Sequence, residues 1–174
     1  MLQKERESLR RQATQDSFTK LLNRGTMEKK INTALMYADN QQECAYIALD
    51  LDNFKQINDF YGHGVGDMLI LELAELLKKY FEKDSYIGRM GGDEFAVFLR
   101  DSENREEIVE RANGVRCELH DLKHRLALQE EPSVSIGIAF GQKTECSFQE
   151  LYRSADIALY QIKNEQKNGI AVLG

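Results

Sequence analysis

Two short acidic stretches carry the residue types from which a reaction could be built. Asp50 and Asp52 stand at the end of the apolar run CAYIALDL (44–51), and Asp93 and Glu94 follow a glycine pair in Gly91-Gly92-Asp93-Glu94-Phe95. Four carboxylates drawn into a small volume repel one another unless a divalent cation joins them, and oxygen-only donors favour Mg²⁺ or Mn²⁺. Adjacent glycines let the backbone approach a ligand that a Cβ would exclude. Taken alone, Asp93 and Glu94 would suit a solvated hairpin turn equally well. The partnership with Asp50 is what makes them a candidate site.

Between the first acidic stretch and the next long helical pattern lies DLDNFKQINDFYGHGVGD (50–67). Lys55 supplies a point charge suited to phosphate, and Asn58 with Asp67 can read a purine edge by donating and accepting hydrogen bonds. The stretch therefore reads as a nucleotide site. Asp67 also fits a plain position at a helix start, favoured by the dipole. His63 reads as a loop histidine with no catalytic duty.

The elements that must position these groups follow from periodicity. Residues 1–15 form a polar, charge-rich segment with Leu2 and Leu9 seven apart, an exposed helical linker or coiled-coil lead-in that could join an upstream sensor. The folded unit is then 16–174. A helix is expected over 26–39, and the run 44–51 is the first strand, covered on both faces. Leu69, Leu73, Leu76, Leu77 and Tyr80 mark an amphipathic helix over 67–81. A hairpin follows at 85–90 and 94–100, its paired glycines supplying the positive φ of a tight turn. Asn104 with Glu107 starts a helix that runs to 126 or 128, residues 133–140 form a strand, and the capping box Ser147-x-x-Glu150 opens the last helix. IAVL (170–173) closes as an edge strand.

This order gives an α+β fold: a ferredoxin-like, palm-like βαββαβ core with a mainly antiparallel sheet, flanking helices covering one face, and an extra C-terminal helix and strand. In that arrangement the first strand of the hairpin would neighbour strand 44–51, bringing both acidic stretches to one edge.

With 174 residues and a single proline, one globular domain is expected, able to bury a core without disulfides or a structural metal. The net charge of −6 argues against nucleic-acid binding by bulk electrostatics. No apolar run approaches the ~20 residues that span a bilayer, and the start MLQKERESLRR is too charged for a signal peptide. A cytoplasmic chain without membrane contact is expected. Cys44, Cys117 and Cys146 are an odd number at no metal-ligand spacing, read as reduced and mostly structural.

The chain resembles the GGDEF family of diguanylate cyclases. The likeness rests on GGDEF at 91–95, LDLDNFKQINDFYGHGVGD at 49–67, DSFTKLLNR at 16–24, SIGIAF at 135–140 and ADIALYQIK at 155–163. It implies that two GTP molecules, one on each of two facing domains of a homodimer, condense into cyclic di-GMP with release of two pyrophosphates. It further implies that Asp50 and Asp93 hold the metals with the carbonyl of Leu51, that Asp93 or Glu94 takes the proton, and that Arg89 faces phosphate. Lys55 and Lys163, with backbone N–H groups near Asn53 and Phe54, would hold the β- and γ-phosphates beside Gly91 and Gly92. Asn58 and Asp67 would read guanine, Asp67 favouring GTP over ATP.

Three motifs depart from the family pattern. The inhibitory Arg-x-x-Asp is replaced by Glu82-Lys83-Asp84-Ser85, so product feedback there is expected to be missing. Lys20 replaces a glycine, and Gln166-Lys167-Asn168 stands for Gly-Arg-Asn, a change expected to affect only the final turn. The competing reading is a GTP-binding regulatory module without turnover, and a cyclase-like domain making another product is a third. The intact set of Asp50, Arg89, Gly91, Gly92, Asp93, Glu94 and Lys163 counts against decay.

Overall fold

The computed structural model describes residues 2–38, 42–83, 85–102 and 104–174. Asp39, the expected end of the second helix, and Asp84 of the altered inhibitory motif lie outside them.

The centre of the fold is β2 (Glu43–Leu51), whose alternating apolar residues feed two cores. Ala45, Ile47, Leu49 and Leu51 pack with α4 (His63–Phe81) and α5 (Arg105–His120) on one side of the sheet. Cys44 and Tyr46 pack with α2 (Arg24–Met36) and α7 (Phe148–Glu165) on the other. Helices thus cover both faces, not one. A strand apolar at successive positions needs cover on both sides, and α2 and α7 supply the second layer.

The sheet runs β1-β3-β4-β2-β5-β6, with β1 at Leu22–Asn23, β3 at Ser85–Arg89, β4 at Glu94–Leu99, β5 at Val134–Gln142 and β6 at Ile170–Leu173. The central pairs β3·β4, β4·β2 and β2·β5 are antiparallel, while the outer pairs β1·β3 and β5·β6 are parallel. The sheet is therefore mixed at its edges around an antiparallel core. The two-residue β1 precedes the run read as the first strand, and it is too short to leave a periodic signal. The hairpin's second strand, β4, lies beside β2; β3 is one place further out. In a split βαβ unit the crossover from β2 through α4 to parallel β3 leaves a gap, which the antiparallel β4 fills.

Capping signals set several boundaries. Asn104 Oδ1 accepts from the Glu107 N–H at 3.1 Å to start α5, and Ser147 with Glu150 forms the full capping box of α7. The helix expected to continue to 126 or 128 stops at His120, and α6 (Leu122–Arg125) follows separately. The N-terminal segment is helical as α1 (Leu2–Thr14). No helix among the described residues is long and apolar enough to cross a membrane.

Candidate functional site

β2 and β4 bring the acidic stretches together by register. Asp50 lies directly opposite Glu94, and the Leu51 N–H donates to the Asp93 carbonyl at 3.3 Å. Asp50 is buried; its Oδ1 lies 2.5 Å from Lys163 Nζ, which reaches down from the last turn of α7. Burial pushes the Asp50 carboxyl above the usual Asp value; Lys163 opposes that shift, and the charges of Asp93 and Glu94 add to it. Asp93 is half-buried and Glu94 exposed at the mouth of this edge.

Asp52 does not join them. It is 3% exposed, and its two oxygens accept from Ser133 Oγ at 2.7 Å, Ser135 Oγ at 2.7 Å and the Asn168 N–H at 3.0 Å. A carboxylate so fully occupied by donors on β5 and the final turn is structural. The replacement at 166–168 reaches beyond the final turn to which its effect was expected to be confined: Lys167 Nζ donates to Asn53 Oδ1 at 2.5 Å, and Arg116 of α5 holds Asn168. Lys167 and Asn168 both take left-handed backbone, φ 52° and 45°. The replacement of Gly-Arg-Asn therefore touches the turn that precedes α3 (Phe54–Tyr61).

The glycine turn works differently from the expectation. Neither Gly91 nor Gly92 has a positive φ; the loop closes through the Met90 N–H to the Glu94 carbonyl at 2.8 Å. A Cβ on Gly91 would stand 2.7 Å from Glu94 Oε2, whereas one on Gly92 would meet nothing within 4 Å. Gly91 makes room for the Glu94 carboxylate, and Gly92 leaves the turn open outward. Arg89 braces this turn, its Nε donating to the Gly91 and Gly92 carbonyls at 3.1 Å and one terminal nitrogen to Gly92 at 2.7 Å. Its other terminal nitrogen pairs with Asp16 Oδ1 at 3.2 Å. Burial raises the Asp16 carboxyl, but bonds from Thr19 and Arg89 outweigh it and hold the group below its usual value. Asp16 and Thr19, in the stretch DSFTKLLNR, are thus positioning residues that spacing alone did not reveal. Lys20 beside them holds φ 62°, the conformation for which glycine is the ordinary choice.

Beyond the end of β2, the stretch to Asp67 holds α3 and the start of α4. Phe54, Ile57 and Tyr61, at i, i+3 and i+7, carried the signal for α3, which the polar surroundings obscured. Asn53 enters α3 in left-handed conformation (φ 55°) with no side-chain cap. The first N–H groups of the helix have no intrahelical acceptors, a ready-made anion site that includes Phe54 and Lys55. Lys55 is exposed beside them. Gly62 (φ 86°) turns the chain, and α4 begins at His63, so Asp67 stands in its second turn and not at the helix start. A Cβ on Gly66 would sit 2.0 Å from Asn58 Oδ1. Gly66 is therefore the contact that lets Asn58 of α3 lie against α4, one residue before exposed Asp67.

Among the described residues no three His, Cys, Asp or Glu side chains converge into a complete metal cluster. The expected four carboxylates are reduced by the loss of Asp52. What remains still fits a hard cation in donor chemistry: a buried carboxylate (Asp50), a half-buried one (Asp93) and backbone oxygen, crowded by Glu94 and balanced by a single lysine. Arg89, Gly91, Gly92, Asp93, Glu94, Asp50 and Lys163 thus share one edge. Asn53, Phe54, Lys55, Asn58 and Asp67 line the α3–α4 side. Glu82 and Ser85 lie elsewhere, at the junction of α4 and β3.

The GGDEF domain profile, described as "Diguanylate cyclase, GGDEF domain", matches residues 13–169. The chain is 31% identical over 92% of its length to the probable diguanylate cyclase DgcT of Escherichia coli. It is 37% identical over 90% of its length to the cyclic di-GMP phosphodiesterase PdeR of the same organism. It spans 36% and 23% of those two relatives. Among solved structures, the coiled coil and GGDEF domain of DgcB from Caulobacter crescentus, in complex with c-di-GMP, superposes with a TM-score of 0.88. That match has 28% identity and covers 99% of this chain and 92% of that one.

Proposed function

The chain belongs to the GGDEF domain family, and from that premise we propose that it is a diguanylate cyclase: two GTP molecules become one cyclic di-GMP and two pyrophosphates across a homodimer. The observation that carries the reading is Asp50. It is buried opposite Glu94, 2.5 Å from Lys163, and at the end of the strand that leads into the uncapped N-terminus of α3. An underneutralised carboxylate next to an anion-binding helix end is the arrangement a metal–nucleotide triphosphate requires.

Each half-site binds one GTP. The N–H groups at the start of α3, including those of Phe54 and Lys55, with the Lys55 and Lys163 ammoniums, take the β- and γ-phosphates. Asn58 and Asp67 take the guanine edge, Asp67 accepting from ring and exocyclic N–H groups that adenine does not offer. Asp50, Asp93 and the Leu51 carbonyl hold Mg²⁺ or Mn²⁺, which when bound neutralises charge at the α-phosphate and acidifies a neighbouring hydroxyl. Glu94 or Asp93 accepts the proton of the 3′-hydroxyl presented by the nucleotide on the facing copy. Arg89 keeps the glycine turn in place from behind, through Gly91, Gly92 and Asp16. Because one copy presents a single nucleotide, turnover requires the dimer, and α1 is the segment through which an upstream sensor would set its geometry. The glutamate at 82 and serine at 85 remove the positive charge and carboxylate of the family's inhibitory motif, so product does not restrain the enzyme there.

The test is incubation of the purified chain at high concentration with GTP, and separately ATP, plus Mg²⁺ or Mn²⁺, with products resolved by chromatography and mass. Cyclic di-GMP from GTP alone, absent in Asp93→Ala, is expected. In Asp67→Ser, discrimination against ATP is expected to fall; unchanged GTP preference would remove Asp67 from guanine reading. A second reading, a GTP-binding regulatory module, is favoured by the 37% identity to a protein named a phosphodiesterase. It would show as metal-dependent GTP binding without product even when dimers are forced by a fused coiled coil.

A further inference from the structure

Cys44 and Cys146 are 102 residues apart in sequence and meet across the end of the sheet, their sulfurs 3.8 Å from each other. The cause is local. Cys44 lies opposite Gly141 in the β2·β5 ladder, and Gly141 presents no Cβ. Cys146 fills that space: a Cβ on Gly141 would stand 3.1 Å from its Sγ and 3.2 Å from its Cβ. After β5 ends at Gln142, the chain folds back, the Cys146 N–H donating to the Gln142 carbonyl at 3.0 Å. Cys44 is fully buried, and the Gly141 carbonyl, 3.3 Å from its Sγ, is the alternative acceptor for its single S–H, whereas Cys146 is half-buried. A disulfide needs about 2.05 Å between sulfurs. The short connection 143–147 is the part free to yield, since Cys44 is fixed within the ladder.

We propose that Cys44 and Cys146 form a thiol-oxidation site, closed to a disulfide by a hydroperoxide and reopened by a dithiol reductant. Cys146 is the attacking group. It is the more accessible sulfur, and it directly precedes the Ser147 cap, at the positive end of α7. The hydrogen bond between the two sulfurs lowers the Cys146 thiol below its ordinary value and raises that of Cys44, which burial lifts further. The Cys146 thiolate attacks one peroxide oxygen; the O–O bond breaks, a sulfenic acid forms, and the departing oxygen leaves as water. Cys44 sulfur then attacks the Cys146 sulfur; the S–O bond breaks, and hydroxide departs with the Cys44 proton as a second water. Two thiols give up two protons and two electrons, and hydrogen peroxide takes them up to become two waters. On reduction, the external dithiol becomes its own disulfide.

The bond would fasten the start of α7 to β2, the strand that Lys163 near the end of α7 already grips through Asp50. The site is independent of catalysis, so its test needs no turnover. The full chain is titrated with hydrogen peroxide, alkylated, and mapped by peptide mass, with Cys117→Ser removing the exposed thiol of α5. The expected product has lost two hydrogens, carries a Cys44–Cys146 linked peptide, returns to the starting mass with dithiothreitol, and is absent in Cys146→Ser. In the reduced chain, iodoacetamide should label Cys146 at least about tenfold faster than Cys44. Oxidation that halts at a Cys146 sulfinic acid, or that leaves both thiols free to alkylate, would overturn the proposal. So would faster labelling of Cys44.

Discussion

Asp50 and Asp52 stand two residues apart where β2 ends, and both are buried, 9% and 3% exposed. Asp52 takes hydrogen bonds from Ser133, Ser135 and Asn168, so each of its oxygens is occupied. Asp50 has one partner, Lys163; burial pushes its pKa upward, and two neighbouring carboxylates add to that. A buried charge fully supplied with donors holds backbone together; one left short of them stores a capacity to bind a cation. The difference separates a candidate metal ligand from a structural clamp within a span of three residues.

The largest effect that would sharpen this contrast is on turnover. Asp93→Ala is expected to lower cyclic di-GMP formation by about 10³-fold or more, with little change in thermal stability, since Asp93 makes no side-chain bond that the fold relies on. Loss of folding in this variant would break the assignment. Asp52→Ala should do the reverse. It strands the buried Ser135 hydroxyl, the half-buried Ser133 hydroxyl and an N–H, at a cost of about 3 kcal/mol, or roughly 10 °C in Tm. A Tm within a degree or two of the parent would show that Asp52 is not the clamp described.

Gly66→Ala comes next. A methyl 2.0 Å from Asn58 Oδ1 must displace that side chain. The expected result is a KM for GTP raised about tenfold with kcat nearly unchanged, the pattern of lost uniform binding. Equal falls in kcat and kcat/KM would place Asn58 in the chemistry instead.

The smallest effect lies at the other end of β2. Glu43 is bound by Arg105 and Ser102, and the Arg105 hydrogen bond, outweighing burial, holds its carboxyl below the ordinary 4.5. A carboxyl depressed in the folded state stabilises above its unfolded pKa, and that contribution disappears as pH falls through the folded value. Glu43→Gln should therefore cost about 0.5–1 kcal/mol at pH 7 and nothing well below 4.5, read as two Tm-against-pH curves that converge in acid. Asp50 has the opposite sign: its raised pKa is a penalty present at neutral pH and relieved as pH falls through the folded value. Curves that stay parallel would contradict the Glu43 pairing.

The framework and the acidic edge were legible because they rest on local pattern. The run 44–51, the stripe from Leu69 to Tyr80 and the Ser147 capping box each state their element within one segment. The pairing of Asp50 with the 91–95 turn followed from topology, although the neighbouring strand is β4 and not β3. What escaped depends on contacts between distant segments. Nothing near Asp52 says that Ser133, Ser135 and Asn168 will satisfy it, and nothing near Arg89 says that Asp16 will hold it. The glycines at 91 and 92 suggested a left-handed turn, yet their use is space for Glu94 and open access. Helix α3 was obscured by the polar residues around Phe54, Ile57 and Tyr61, of which the first two pack partly buried against the core.

The most direct test of the central claim compares Asp50→Asn with Asp52→Asn, measuring cyclic di-GMP produced from GTP and Mg²⁺ per folded molecule, with the folded fraction taken from thermal unfolding of the same samples. Asp50→Asn should remain folded at the parent Tm or above and make no product. Asp52→Asn should unfold at lower temperature while its folded fraction still makes cyclic di-GMP. Full turnover by Asp50→Asn, with turnover abolished in a stably folded Asp52→Asn, would contradict the account.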